Sequence, residues 1–265
     1  KVPEGLAEGQ YTGKINVTAD GKGQPPLTLT IRVLPFTLPM PKTYYDVVRD
    51  YYPVFTGGGE PRGAGQIQPS GLSRTDEQLT AEHKNRLAHN EYFPARVDFQ
   101  DWENRAGPPS RMAAIARHRM GGIMTMVANP RGGVENPEFF RRNHGLLPYK
   151  AHYDGSVNES YWTSLPWDEF GAGTERPRCL VYPTIDGAIE TLAWEGFREG
   201  IDDIRYATVL KLLAAKAIAG DRQEARIQAK TALHWLEITD EKSADLDAVR
   251  LEMINYILKL MADHP

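Results

Sequence analysis

At 265 residues, with 41% hydrophobic and 25% charged residues, the chain has the composition of a globular protein with a substantial core. A formal net charge of −4 offers no basic face for nucleic acid, and no apolar run approaches the length of a membrane span. The single Cys179 excludes an intramolecular disulfide, and no histidine or cysteine spacing matches a metal site, so neither metal nor cofactor is expected.

Residues 10–18 alternate as a strand, with Tyr11, Gly13, Ile15 and Val17 on one face. Asp20-Gly21 is a hairpin turn signal, and residues 27–34 alternate again, placing Leu27, Leu29, Ile31 and Val33 on a buried face. Two strands alone make a marginal structure with unpaired edges. Pro35, Pro39 and Pro41 form a stiff linker. Residues 44–55, rich in tyrosine and valine, supply one or two short strands. Residues 56–73 form a glycine-rich loop, and its three consecutive glycines lack the context of a phosphate-binding motif.

Thr75 with the acids that follow starts a helix to about residue 89, and residues 92–99 read as a strand ending near Asp98. Residues 100–111 have loop composition. A short helix over 112–119, a buried strand over 123–128 and a helix opened by Asn136-Pro137-Glu138 follow. Residues 154–158 form a strand that leads into the aromatic loop 161–170. Residues 178–182 form an edge strand. Helices cover 221–235 and 243–261, the second striped by Leu246, Val249, Met253, Ile257 and Leu260.

The long helix between these elements organises the chain. Asp186 is its expected N-cap, and Phe197, Ile201, Ile204, Thr208 and Leu212 form its apolar stripe. Gly196 and Gly200 lie four apart, each costing about 1 kcal/mol against alanine, which calls for another backbone packed very close. Glu195, Arg198, Asp202 and Arg205 interleave at ion-pair spacings. They read either as a solvated ion-paired surface or as charges that reach a site.

The run YPT-DG-I-T--WEGFREGIDD-RY over residues 182–206 resembles the end of the catalytic module of glycoside hydrolase family 123. It is still more similar to the related family numbered 4091 among the domains of unknown function. The run ANPRGGVENPEFFRRNHGLLPYKAHYDGSVNESYW, residues 128–162, resembles the late barrel strands of the same families. These are β-N-acetylgalactosaminidases and relatives, with a β-sandwich followed by a (β/α)8 barrel. The resemblance therefore implies an α/β fold. Residues 1–38 would be a β-sandwich remnant, 39–219 an incomplete or interrupted TIM-like (β/α)8 barrel, and 220–265 a C-terminal helical extension. A full barrel takes about 250 residues, so βα units are missing on this reading, with the junction between residues 101 and 113. The resemblance also implies a secreted or periplasmic protein; the chain opens on Lys1 without a signal peptide, and its natural beginning is expected upstream.

Sugar sites combine aromatic platforms with carboxylates and amides at the carboxyl ends of barrel strands. Asn158, Tyr161, Trp162 and Trp167 supply that mixture, as does Asn129 after strand 123–128. The alternative for the loop is aromatic packing on the barrel rim. The candidate general acids are Glu159 and Asp98, with Asp154 also near a strand end; for a lone strand-end Asp a turn or cap role stays open. Family members use an adjacent Asp–Glu pair on a mid-barrel strand, with the substrate's own 2-acetamido group as nucleophile. Neither Asp76-Glu77 nor Asp168-Glu169 lies in that context. Two functions follow. One is a glycosidase-like protein acting on 2-acetamido sugars, inactive or weakly active as this chain stands; the other is a non-catalytic glycan-binding or scaffold protein. The sequence leaves the oligomeric state open.

Overall fold

The computed structural model describes residues 5–56, 102–128, 136–159, 180–184 and 187–262. The chain divides into two compact units, Lys1–Leu38 and Pro39–Pro265. The expected helix 75–89, strand 92–99 and aromatic loop 161–170 lie outside the described residues.

In the first unit, β1 (Gly9–Ile15) pairs antiparallel with β4 (Leu27–Val33). Between them β2 (Thr18–Ala19) and β3 (Lys22–Gly23) flank a turn in which Asp20 and Gly21 both have positive φ, 50° and 72°. That is the turn an Asp-Gly pair favours. The register sets Tyr11 opposite Ile31, Gly13 opposite Leu29 and Ile15 opposite Leu27. The alternation is as the sequence indicates, but the burial is not. Leu27 is 59% exposed and Leu29 44%, because a two-stranded ribbon has no second layer of its own.

Among the described residues the second unit holds a four-stranded parallel sheet. Its strands are β5 (Tyr52–Thr56), β6 (Trp102–Ala106), β7 (Ile123–Ala128) and β8 (Gly155–Glu159), in the spatial order β5-β8-β7-β6. Residues 102–106 are thus a strand where loop composition was read. No break follows it, since Ser110 caps α1 (Arg111–Arg119) by accepting a bond from the Ala113 amide at 3.3 Å. Residues 102–119 run as one continuous βα unit, without a break or long loop where the junction was read. Residues 136–150 make two helices, α2 (Pro137–His144) and α3 (Leu146–Lys150), separated at Gly145.

Helix α4 (Leu192–Ala219) starts a turn and a half later than Asp186. Residues 187–190 instead form β10 (Gly187–Glu190), paired with β9 (Val181–Thr184) in an antiparallel hairpin. Thr191 is the N-cap, its hydroxyl accepting from the Trp194 amide at 3.2 Å and donating to the Leu180 carbonyl at 2.7 Å. The stripe Phe197, Ile201, Ile204, Thr208 is fully buried, and Leu212 at 40% exposure lies beyond it.

Both helix glycines meet backbone, as their spacing requires. A Cβ at Gly196 would lie 2.6 Å from the Pro137 carbonyl carbon. One at Gly200 would lie 2.6 Å from the Arg141 oxygen, and one at Gly145 2.9 Å from the Gly200 Cα. Helix α2 therefore crosses α4 at near backbone contact. Beside this crossing sits Asp203, 1% exposed, which accepts from Arg141 Nε at 2.8 Å and Arg250 Nε at 2.7 Å. Burial pushes its carboxyl above the usual aspartate range, and the two guanidiniums oppose that shift. Asp203 of α4 thus reaches inward into a buried ion-pair cluster, while Glu195 pairs with Arg198 and Asp202 with Arg205 at the spacings read from the sequence.

Helices α5 (Gln223–Ile238) and α6 (Leu246–Ala262) pack on α4. The buried face of α5 is Ala225, Ala229, Ala232 and Leu236, small enough for close approach. The buried stripe of α6 is the one its sequence shows. Three cations of α2 and α3 clasp the loop between them. Arg141 reaches Leu246 O at 3.0 Å, Arg142 reaches Glu241 O at 2.7 Å and Ala244 O at 3.0 Å, and Lys150 reaches Glu241 Oε2 at 2.9 Å. Lys150 also donates to the carbonyl of Thr239, the residue that ends α5.

The contact at the crossing makes Gly200→Leu and Gly196→Ala strongly destabilising, each by about 3 kcal/mol, the upper end for overpacking. Denaturant midpoints measure this, and unchanged midpoints would remove the close packing. A second expectation concerns His144, whose ring is fully buried with neither nitrogen hydrogen-bonded among the described residues. Burial lowers its pKa to about 3. Below about pH 6.5 the unfolded chain gains a proton that the folded chain refuses, so stability is full above that pH and declines as pH falls toward 3. Stability measured from pH 6.5 to 5 should fall less steeply in His144→Leu, by about one proton.

Candidate functional site

Successive residues of a strand point to opposite faces, and the register sorts the faces of this sheet. Met124 and Met126 pack with Ala114 of α1 and with Tyr153. Ser156, paired with Met126, donates its hydroxyl to the His144 carbonyl of α2 at 3.5 Å. Met126, Ser156 and Asn158 therefore belong to the helix-covered face. Thr125, Val127, Val157 and the position of Glu159 belong to the other face, where Glu159 is the cross-strand neighbour of Thr56.

This separates two residues that the sequence reading joined in one site. Asn158 is 0% exposed within the layer between sheet and helices. Glu159 ends β8 on the opposite face, at the carboxyl edge of the sheet. Asp98, Asn129, Tyr161, Trp162 and Trp167 lie outside the described residues. The carboxyl edge is where (β/α) enzymes place their chemistry, and its described strand ends are Thr56, Ala106, Ala128 and Glu159.

Asp154 occupies the opposite edge, just before β8. Its backbone N–H donates to Met124 O at 2.7 Å, and its carbonyl accepts from the Tyr52 N–H at 2.8 Å, so it ties β7 and β5 to the start of β8. The carboxylate is wholly buried. Oδ2 accepts the Met124 N–H at 2.8 Å and lies 2.7 Å from His118 Nε2, and Oδ1 accepts the Tyr45 hydroxyl. Burial first, then the Asp154 bond, pushes the Tyr45 phenol well above its ordinary range. The rings of Tyr45 and His118 lie 4.4 Å apart. Buried and with both oxygens engaged, this carboxylate braces the amino edge of the sheet.

A further polar group surrounds Tyr44. Its ring carries Lys211 Nζ at 3.9 Å and Arg111 at 5.6 Å, and lies 5.3 Å from the His152 ring. Its hydroxyl donates to Glu237, which Arg111 grips with both nitrogens at 2.6 and 3.2 Å. The Arg111 hydrogen bond holds the Glu237 carboxyl down at about 2. Sequence reasoning missed this cluster and the Asp154 brace. Their members come from residues 44–45, 111–118, 152–154, 211 and 237, and no local spacing announces them. The only local sign is His152, at φ 66°, a strained conformation for a non-glycine residue. Among the described residues no three His, Cys, Asp or Glu side chains gather as metal ligands, and no helix is long and apolar enough to cross a membrane.

Removing the brace strands a backbone N–H, an imidazole and a phenol in a buried position. Asp154→Ala should cost about 3 kcal/mol or more by chemical denaturation; a loss below about 1 kcal/mol would show that the carboxylate braces nothing. Compared with known proteins, the chain matches no family model and no curated protein.

Proposed function

We propose that the chain is a carbohydrate-active protein of the glycoside hydrolase family 123-like group, built on an interrupted (β/α) barrel. Its sugar site lies at the carboxyl edge of the parallel sheet and takes a 2-acetamido sugar of a glycan. The observation that carries this reading is the pairing, among the described strands, of the first of the sheet with the last. β5 lies parallel beside β8, while β6, β7 and β8 follow one another in space as in sequence. In a (β/α)8 barrel the first and last strands are neighbours in this way. The family-like run of residues 182–206 spans the β9–β10 hairpin and the first half of α4, which packs against α2.

The second reading, a glycan-binding protein without strong hydrolytic activity, is favoured by the strand ends. Of Thr56, Ala106, Ala128 and Glu159, only Glu159 brings a carboxylate. Hydrolysis assisted by the acetamido group needs an acid at the glycosidic oxygen and a second group holding the acetamido arm. Glu159 is the acid this proposal assigns, and a partner for it is absent from the other described strand ends.

The test sets chromogenic N-acetylgalactosaminide and N-acetylglucosaminide substrates beside a glycan-binding screen read by tryptophan fluorescence. Binding of 2-acetamido sugars with weak or no hydrolysis is expected. Glu159→Gln should abolish any residual turnover and shift stability by no more than about 0.5 kcal/mol. Turnover that survives this substitution rejects Glu159, and no response to any N-acetylhexosamine rejects the sugar site itself.

A further inference from the structure

The β1–β4 ribbon of the first unit sorts its side chains by polarity. On one face the cross-strand pairs are Tyr11–Ile31, Gly13–Leu29 and Ile15–Leu27; on the other they are Gln10–Arg32, Thr12–Thr30 and Lys14–Thr28. The first face holds no charge, yet Tyr11, Ile15, Leu27, Leu29 and Ile31 are each between 38% and 59% exposed. Those exposures amount to on the order of 500 Å² on apolar residues in one contiguous face, a size at which a patch marks an interaction surface.

Gly13 lies at the centre of this face. A glycine inside a strand weakens it, and marks either a bulge or a place where another chain segment comes close. The ladder runs unbroken through Gly13, so there is no bulge, and its backbone is not among those at positive φ. No heavy atom of a described residue lies within 4 Å of where a Cβ at Gly13 would stand. The glycine is therefore an open dimple in the middle of an apolar face, with Leu29 as a knob directly beside it.

We propose that this face is the interface of a symmetric dimer, in which a second copy of this chain packs its ribbon face to face on the first and Leu29 of each seats over Gly13 of the other. A two-fold axis can lie in two ways in the plane between two aligned ribbons. Along the ribbon, between its strands, it sets β1 of one copy over β4 of the other. Tyr11 then meets Ile31, Gly13 meets Leu29 and Ile15 meets Leu27, each contact made twice as an isologous interface requires. Across the strands, it would set Leu29 against Leu29 and Gly13 against Gly13, a crowded contact beside a void. The first arrangement fills the dimple. It buries no charge, since Lys14 and Arg32 stand exposed on the opposite face. Two such faces together bury on the order of 1,000 Å², the size a specific interface must reach. The dimer also gives each ribbon the second layer that two strands lack. None of this depends on the glycan reading.

Sedimentation velocity on the full chain, from about 1 to about 200 μM, brackets the micromolar affinity expected of an interface this small. Monomer should pass to dimer and no further. Leu29→Lys sets a charge in the centre of the face and should keep the chain monomeric, whereas Thr30→Lys, the next residue but on the other face, should leave the dimer intact. Gly13→Val is the sharper variant. It fills the dimple with a residue that favours strand, so the hairpin is kept while association weakens at least about tenfold. A chain that stays monomeric throughout that range, or assembles beyond a dimer, overturns the proposal. So does a dimer that withstands either Leu29→Lys or Gly13→Val, or one that Thr30→Lys dissociates equally.

Discussion

Contact between the backbones of α2 and α4 is the constraint on which the second unit rests. Three glycines make it possible, Gly196 and Gly200 on one helix and Gly145 at the end of the other, and each would put a Cβ into the partner's main chain. Helices this close leave no room for a layer of side chains, so their relative position is set by main-chain shape. Everything attached to them inherits that position. The Arg141–Asp203–Arg250 cluster can form only because α2 approaches α4 this nearly, and it brings α6 into the same node. A buried ion pair of this kind contributes geometry more than net stability, since desolvation offsets much of the Coulomb attraction. The clasp on the α5–α6 loop extends the same logic outward, spending cations of α2 and α3 on carbonyls that would otherwise end a helix unsatisfied.

The sheet has two edges of different character. At its amino edge both carboxylate oxygens of Asp154 are engaged, by the Met124 N–H, His118 and Tyr45. At its carboxyl edge the described strand ends are short, mostly neutral side chains with one acid. On the proposed reading, this separation keeps the buried bracing network away from the edge assigned to the ligand. Assigning Asn158 to the helix-covered face sharpens the division, because it moves an amide from the candidate site into the support beneath it.

Much of this was legible from residues alone, and the reasons for the failures are physical. The glycine spacing in α4 announced a close neighbour, since an interior glycine costs too much to stand without one. The stripe of α6 and the Asp-Gly turn were equally plain, because period and positive φ leave local marks. Strand β6 was not, because Trp-Glu-Asn-Arg-Ala has no alternation of apolar and polar residues and takes its conformation from pairing with β7. The start of α4 was misplaced because Asp186 looks like a cap, while pairing of residues 187–190 with β9 overrides it and hands the role to Thr191. Both polar clusters escaped notice for a deeper reason: long-range packing assembles them, and their members share no motif.

The order of strands in the sheet also bears on how the molecule comes together. Tyr52 and Gly155 are paired across 103 positions of chain, against 30 for Thr125 with Gly155 and 21 for Trp102 with Ile123. Closing the longest of these loops costs roughly 1.4 kcal/mol more in chain entropy than closing the shortest. The β5–β8 ladder is also the contact of the sheet with the highest contact order. Helices α4, α5 and α6, consecutive and mutually packed, carry no such burden. The architecture thus joins a locally assembled helical half to a sheet one strand of which, β5, must be recruited from far upstream.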